Sequence, residues 1–129
     1  MLTVVTGASG FIGHVLVDRL LAEGRQVRVL AHESQHRFGK LDVDVVEGDV
    51  CRPETLASLF DGAQRVFHLA ALISLGGDLG GRVTQTNVEG ARACAKSALD
   101  AGVKRFVHFS SIHAFDLRDP EAMIDESVA

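Results

Sequence analysis

The chain has 129 residues, 47% of them hydrophobic, and carries 13 Lys and Arg against 17 Asp and Glu, a formal net charge of −4. That length and apolar content suit one globular domain with its own core and exclude a disordered chain. The acidic balance, with no basic cluster, argues against a nucleic-acid partner, and no apolar run approaches the ~18 residues that a membrane span requires. The N-terminus has no basic stretch ahead of an apolar one, so no signal peptide is read and a cytoplasmic location is expected. Cys51 and Cys94 have no motif spacing and are read as reduced bystanders.

In chain order, Leu2 to Thr6 (LTVVT) predicts a first strand, and Gly7-Ala8-Ser9-Gly10-Phe11-Ile12-Gly13 follows at once. A helix is expected over residues 11–23, with Ile12, Val15, Leu16 and Leu20 as its apolar face. Gly24 stands where a helix-ending glycine would, and Gln26 to Ala31 (QVRVLA) is a second strand. A polar loop, His32 to Lys40, leads to a third strand at Val43 to Glu47, which Gly48-Asp49 ends. Pro53 suits the first turn of a helix running to about Phe60. Asp61-Gly62 marks a turn, and Arg65 to Ala70 is a fourth strand. After a glycine-rich loop, Gly76 to Gly81, a long helix is expected from about Val83 to Ala101, ended by Gly102. Lys104 to Ser110 (KRFVHFS) is a fifth strand, and Ile112 to Ala129 shows no clear period.

Strands separated by helical connectors imply βαβ units, a parallel sheet and helices on both faces. Right-handed crossovers then favour a Rossmann-type, doubly wound α/β sheet of five strands in the order 3-2-1-4-5. Ligands of such sheets bind at the carboxyl ends of the strands, at the switch between strands 1 and 4. The unusual residues collect at those ends: the glycines after strand 1, His32 and Glu33 after strand 2, Asp49 after strand 3, Ala70-Ala71 after strand 4 and Ser110-Ser111 after strand 5. No repeat, low-complexity run or linker divides residues 1–129, so they are read as one domain.

A strand, glycines three apart and a helix make a cradle for the pyrophosphate of a dinucleotide. The glycines let the backbone turn sharply and approach the phosphates, and the helix start offers free N–H groups. The spacing here is G-x-x-G-x-x-G, not G-x-G-x-x-G. A tight turn that binds nothing is the plainer alternative. Asp49 can accept a hydrogen bond from an exocyclic amine, or serve as an ordinary turn aspartate. Ala70 and Ala71 are small enough to let a ribose approach the sheet edge, or simply to allow close helix–sheet packing. The six histidines form no metal-ligand pattern, and His68 and His108, inside strands, are read as core residues.

Thr6-Gly7-Ala8-Ser9-Gly10-Phe11-Ile12-Gly13 resembles the signature of the extended short-chain dehydrogenases/reductases, the NAD-dependent epimerase/dehydratase group. Four further segments fit in order: Gly48-Asp49-Val50, Val66 to Ala71, Asn87-Val88-Glu89-Gly90, and Arg105 to Ser111. The resemblance covers almost the whole chain and is nearest to dihydroflavonol-reductase-like and 3β-hydroxysteroid-dehydrogenase-like members. It implies that Gly7, Ser9, Gly10, Phe11, Ile12 and Gly13 hold the dinucleotide, that Asp49 and Val50 meet the adenine, and that Ala70, Ala71 and Ser110 lie along the rest of the cofactor. Asn87 matches the asparagine that braces the family's active site, and Ser111 the catalytic serine, whose hydroxyl would hold the reacting oxygen of a carbonyl or alcohol substrate. NAD-preferring members carry Asp at the position of Ala31. Here that acid is missing, and His32 stands where NADP-preferring relatives often carry Arg, with Arg37 and Lys40 in the same loop. Glu33 argues the other way. The expected cofactor is NADP or NAD, with NADP favoured.

The family's acid–base pair is a tyrosine followed four residues later by a lysine, whose charge lowers the tyrosine pKa. This chain contains no tyrosine, and no lysine follows Lys104. The resemblance therefore implies the N-terminal, cofactor-binding part of a longer NAD(P)-dependent oxidoreductase or epimerase, cut before strands 6 and 7 and the substrate region. Its fifth strand would be an apolar edge that a homodimer could cover. The alternatives are a non-catalytic NAD(P)-sensing module, as in NmrA-like relatives, and an inactive remnant.

Overall fold

A computed structural model describes residues 1–32, 38–114 and 125 of the chain. Five strands, β1 (Leu2–Thr6), β2 (Gln26–Ala31), β3 (Asp44–Glu47), β4 (Arg65–His68) and β5 (Arg105–His108), form one parallel sheet in the order 3-2-1-4-5. Val4 lies opposite Arg28 and Val66, Val5 opposite Val29 and Phe67, and His68 opposite His108.

Side-chain alternation along the strands divides the apolar residues between two cores. Val4, Leu30 and Val66 pack with Leu56, Leu59 and Phe60 of α2 (Pro53–Phe60) and with Cys94 and Ala98 of α4 (Ala91–Asp100). Val5, Val27 and Val29 join the opposite layer, with Val17 and Leu20 of α1 (Phe11–Ala22) and with Phe38. The central strands are covered on both faces, which is why β1 reads as an unbroken apolar run. Arg28, on β2, fastens α2 to the sheet. Its Nε meets Asp44 at 2.6 Å, and its Nη1 donates to the carbonyls of Ser58, Leu59 and Asp61 at 3.3, 3.1 and 2.8 Å. Those carbonyls, at the end of a helix, lack intrahelical partners and carry the negative end of its dipole.

Three details of the elements differ from the expectations above, and His108, read as a core residue, is exposed at the end of β5. The buried residues of α1 are Gly13, Val17 and Leu20, while Ile12 and Val15 are exposed and Leu16 is half-buried. The helix is phased by its closest approach, at Gly13, and a glycine does not register in an apolar pattern. Next, the long helix begins one residue early and is not uniform. A short α3 (Arg82–Thr84), a π-helical stretch (Gln85–Gly90) and α4 follow one another, and the junction residues are all right-handed helical. Finally, β3, β4 and β5 are shorter than read. Beyond His68, the amide of Leu69 still bonds the Thr6 carbonyl (3.2 Å) before the chain leaves as a loop.

Candidate functional site

The turn after β1 is shaped by what cannot fit in it. Gly7 has φ +70°, and a Cβ there would lie 2.6 Å from the Ala70 nitrogen on the neighbouring strand's exit. A Cβ on Gly13 would overlap the Gly7 carbonyl oxygen. The Gly10 amide donates to that same oxygen at 3.1 Å, closing the turn. Gly10 then caps α1 with extended backbone and no side-chain bond, and the first turn of the helix holds no acid. The helix therefore presents amide donors and a positive dipole end with nothing of its own to neutralise them, which fits the phosphates of a dinucleotide.

The turn opens into a cleft of about 440 Å³ at the carboxyl ends of the strands. Gly7, Ser9 and Gly10 line it from β1, His32 from β2, Asp49 and Val50 from β3, and Ala70 and Ala71 from β4. Eight of the residues read as cofactor-binding thus share one cavity. The far wall, Arg82, Gln85 and Thr86 at the start of the long helix, was not foreseen. Its residues belong to no motif, and only the π-helical turn, a feature often found at functional sites, marks the place.

Asp49 makes the turn contact considered for it and also borders the cleft. One carboxylate oxygen accepts the Cys51 amide at 2.8 Å, a turn contact, and the other lies 3.5 Å from Nε2 of His32 across the cleft. Burial raises the Cys51 thiol pKa, and the Asp49 charge adds to the shift. Val50 is buried beneath the helix, where Gly90 leaves room for it: a Cβ on Gly90 would come within 2.9 Å of Val50 Cγ2.

Asn87 does not line the cleft; it holds the loop that does. Its Oδ1 accepts the Leu72 amide at 2.7 Å and its Nδ2 donates to the Leu72 carbonyl at 3.0 Å. Beneath that loop, Thr6 Oγ1 accepts the Ala70 amide at 3.3 Å and pairs with His68 Nδ1 at 2.7 Å. His68 is buried, and its ring stacks on His108 with centroids 5.4 Å apart. Burial first, and the nearby His108 second, push its pKa down to about 4. The buried Cys94 thiol is pushed up to about 12, mainly by desolvation.

The other candidates lie elsewhere. Phe11 and Ile12 are exposed on the first turn of α1, and Gly13 is buried against the turn. Ser110 and Ser111 are exposed beyond β5, where the Ser111 carbonyl accepts the Ala114 amide at 2.9 Å and starts a 3₁₀ turn (Ile112–Ala114). Arg37 and Glu33 lie outside the described residues. Among the described residues no cluster of three His, Cys, Asp or Glu side chains could hold a metal, and no helix is long and apolar enough to cross a membrane.

Residues 3–128 match the model of the NAD dependent epimerase/dehydratase family. A putative dihydroflavonol 4-reductase from Synechocystis sp. is 36% identical over 125 residues, 95% of this chain and 36% of the relative. A 3-beta-hydroxysteroid dehydrogenase from Mycolicibacterium neoaurum is 35% identical over 116 residues, 84% of this chain and 31% of the relative. A crystal structure of a short-chain dehydrogenase/reductase superfamily protein from Agrobacterium tumefaciens, with bound NAD, superposes with a TM-score of 0.83 at 30% identity, covering 95% of this chain and 36% of that one. The chain thus spans about a third of these relatives' length.

Proposed function

The chain belongs to the NAD dependent epimerase/dehydratase family, and from that premise we propose that it forms the cofactor-binding part of an NAD(P)-dependent oxidoreductase or epimerase. The reaction would be hydride transfer at a secondary alcohol or ketone of a small organic substrate. The observation that carries this reading is the turn at Gly7 to Gly13. Neither Gly7 nor Gly13 has room for a Cβ, and the uncapped start of α1 opens on the cleft.

When bound, the dinucleotide supplies the hydride donor or acceptor. The residues of this chain bind and orient it. The backbone of Ser9 and Gly10 would hold the pyrophosphate, Asp49 and Val50 would take the adenine, and Ala70 and Ala71 would let the ribose approach the sheet. We assign Ser110 to the nicotinamide side of the site, and Ser111 to the substrate oxygen as a hydrogen-bond donor. NADP is favoured over NAD because β2 ends at Ala31, followed by His32, and offers no carboxylate at Ala31 to bind a 2′-hydroxyl or repel a 2′-phosphate.

These 129 residues include no tyrosine, so the chain itself should bind cofactor without turning over a carbonyl substrate. The same feature favours a second reading, a cofactor-sensing module. The experiment that tests the primary reading is a ligand screen by thermal shift. NAD(H) or NADP(H) should raise the Tm, whereas a folded chain that none of the four stabilises would reject the proposal. Steady-state reduction of a ketone by the chain would reject the expectation of binding without turnover.

A further inference from the structure

Arg82 belongs to none of the motifs above, yet it lines the dinucleotide cleft. Most cations near it on the long helix are spent. Arg92 is paired with Glu89 and Lys96 with Asp100. Arg82 makes no ion pair with any described residue and is exposed.

Its place is fixed from both directions along the helix. Behind it, Gly90 sits on Val50, Asn87 grips Leu72, and the Gln85 carbonyl lies 3.5 Å from the Cys51 thiol. These contacts fasten the helix along the Asp49–Cys51 side of the cleft. Ahead of it, Asp78 caps the helix: its carboxylate accepts the Thr84 amide at 2.7 Å and its carbonyl the Val83 amide at 3.2 Å. Arg82 lies one turn before Thr86, so both stand on the face that borders the cleft. Arg82 therefore lines the cleft from the helix that Val50 and Cys51 hold on the Asp49 side.

We propose that Arg82 is an adenine-binding residue whose guanidinium lies against the ring and closes that end of the cleft. A planar, weakly hydrated cation without an ionic partner suits the face of an aromatic base. The proposal rests on the reading of the cleft as a dinucleotide site. It adds a contact that both cofactor forms share, since adenine is common to NAD and NADP.

Calorimetric titration of ADP and of NADH into the wild-type chain, Arg82→Ala and Arg82→Lys, at low and at high salt, tests it. Arg82 is exposed and pairs with no described residue, so neither variant should lose Tm. Arg82→Ala should weaken ADP and NADH by the same factor, about fivefold. That loss should persist at high salt, and Arg82→Lys should recover only part of it. Unchanged ADP affinity in Arg82→Ala would overturn the proposal. So would a loss that Arg82→Lys repairs fully and that vanishes at high salt, because the contact would then be to phosphate. If the folded wild-type chain binds neither ADP nor NADH, it is the dinucleotide reading of the cleft that fails.

Discussion

Asn87 grips both backbone polar groups of Leu72, accepting from its amide at 2.7 Å and donating to its carbonyl at 3.0 Å. A side-chain amide thus stands in for a neighbouring strand just where β4 has given way to a loop. That pairing holds Ala70 and Ala71 against the glycine turn. Asn87→Ala removes two hydrogen bonds in a half-buried setting and should destabilise the chain by about 1–2 kcal/mol. Hydrogen exchange at the Leu72 amide is the specific readout. It should speed up more than exchange in β1, and equal acceleration throughout would show that Asn87 has no local role.

The buried His68 makes stability depend on pH in a defined direction. Its pKa falls from an ordinary 6.5 to about 4 on folding, so between those values the unfolded chain binds more protons. Stability is then fully present above pH 6.5 and is lost as pH falls towards 4. The contribution is up to about 3 kcal/mol. Urea midpoints at pH 7 and pH 4.5 should differ more in the wild type than in His68→Phe, which cannot take up that proton. Equal differences in the two proteins would remove His68 from the account.

Arg28 should matter to the fold alone. It bonds Asp44 and three carbonyls at the end of α2 and lies outside the cleft. Arg28→Ala leaves those groups without their donor and should cost about 1–3 kcal/mol. Arg28→Lys should recover little, because a single ammonium cannot span the carboxylate and the carbonyls together. Chemical denaturation of the three proteins gives the comparison, and cofactor affinity should stay constant across them wherever they are folded.

Most of the architecture could be read from residue order. Apolar runs such as Leu2 to Thr6 alternate with helical stretches, and right-handed crossovers leave few ways to assemble them. The cleft was legible where backbone shape demands glycine, at Gly7 and Gly13, and where small residues end a strand, at Ala70. What escaped was set by tertiary contact. α1 is rotated so that Gly13, not Ile12 or Val15, faces the core. Asn87 was read as a brace, but its partner, a loop backbone at Leu72, leaves no mark in sequence. Arg82 reaches the cleft only because contacts remote in the chain, at Val50 and Leu72, fasten the helix that carries it.

The glycine turn can be tested apart from folding through Gly10. Its φ of −74° suits any residue, and a Cβ there would lie 3.3 Å from the Gly7 carbonyl oxygen, a tight but tolerable approach. Aspartate is a favoured helix N-cap, so Gly10→Asp should keep the Tm of the wild type. Its carboxylate would occupy the amides meant for phosphate and repel the pyrophosphate.

The most direct measurement is a fluorescence titration of NADPH and NADH with the wild-type chain and with Gly10→Asp. Saturable binding by the wild type, tighter for NADPH, and no binding by a folded Gly10→Asp is the predicted result. Equal binding by both proteins, or none by a folded wild type, would contradict the assignment of the Gly7–Gly13 turn as the dinucleotide cradle.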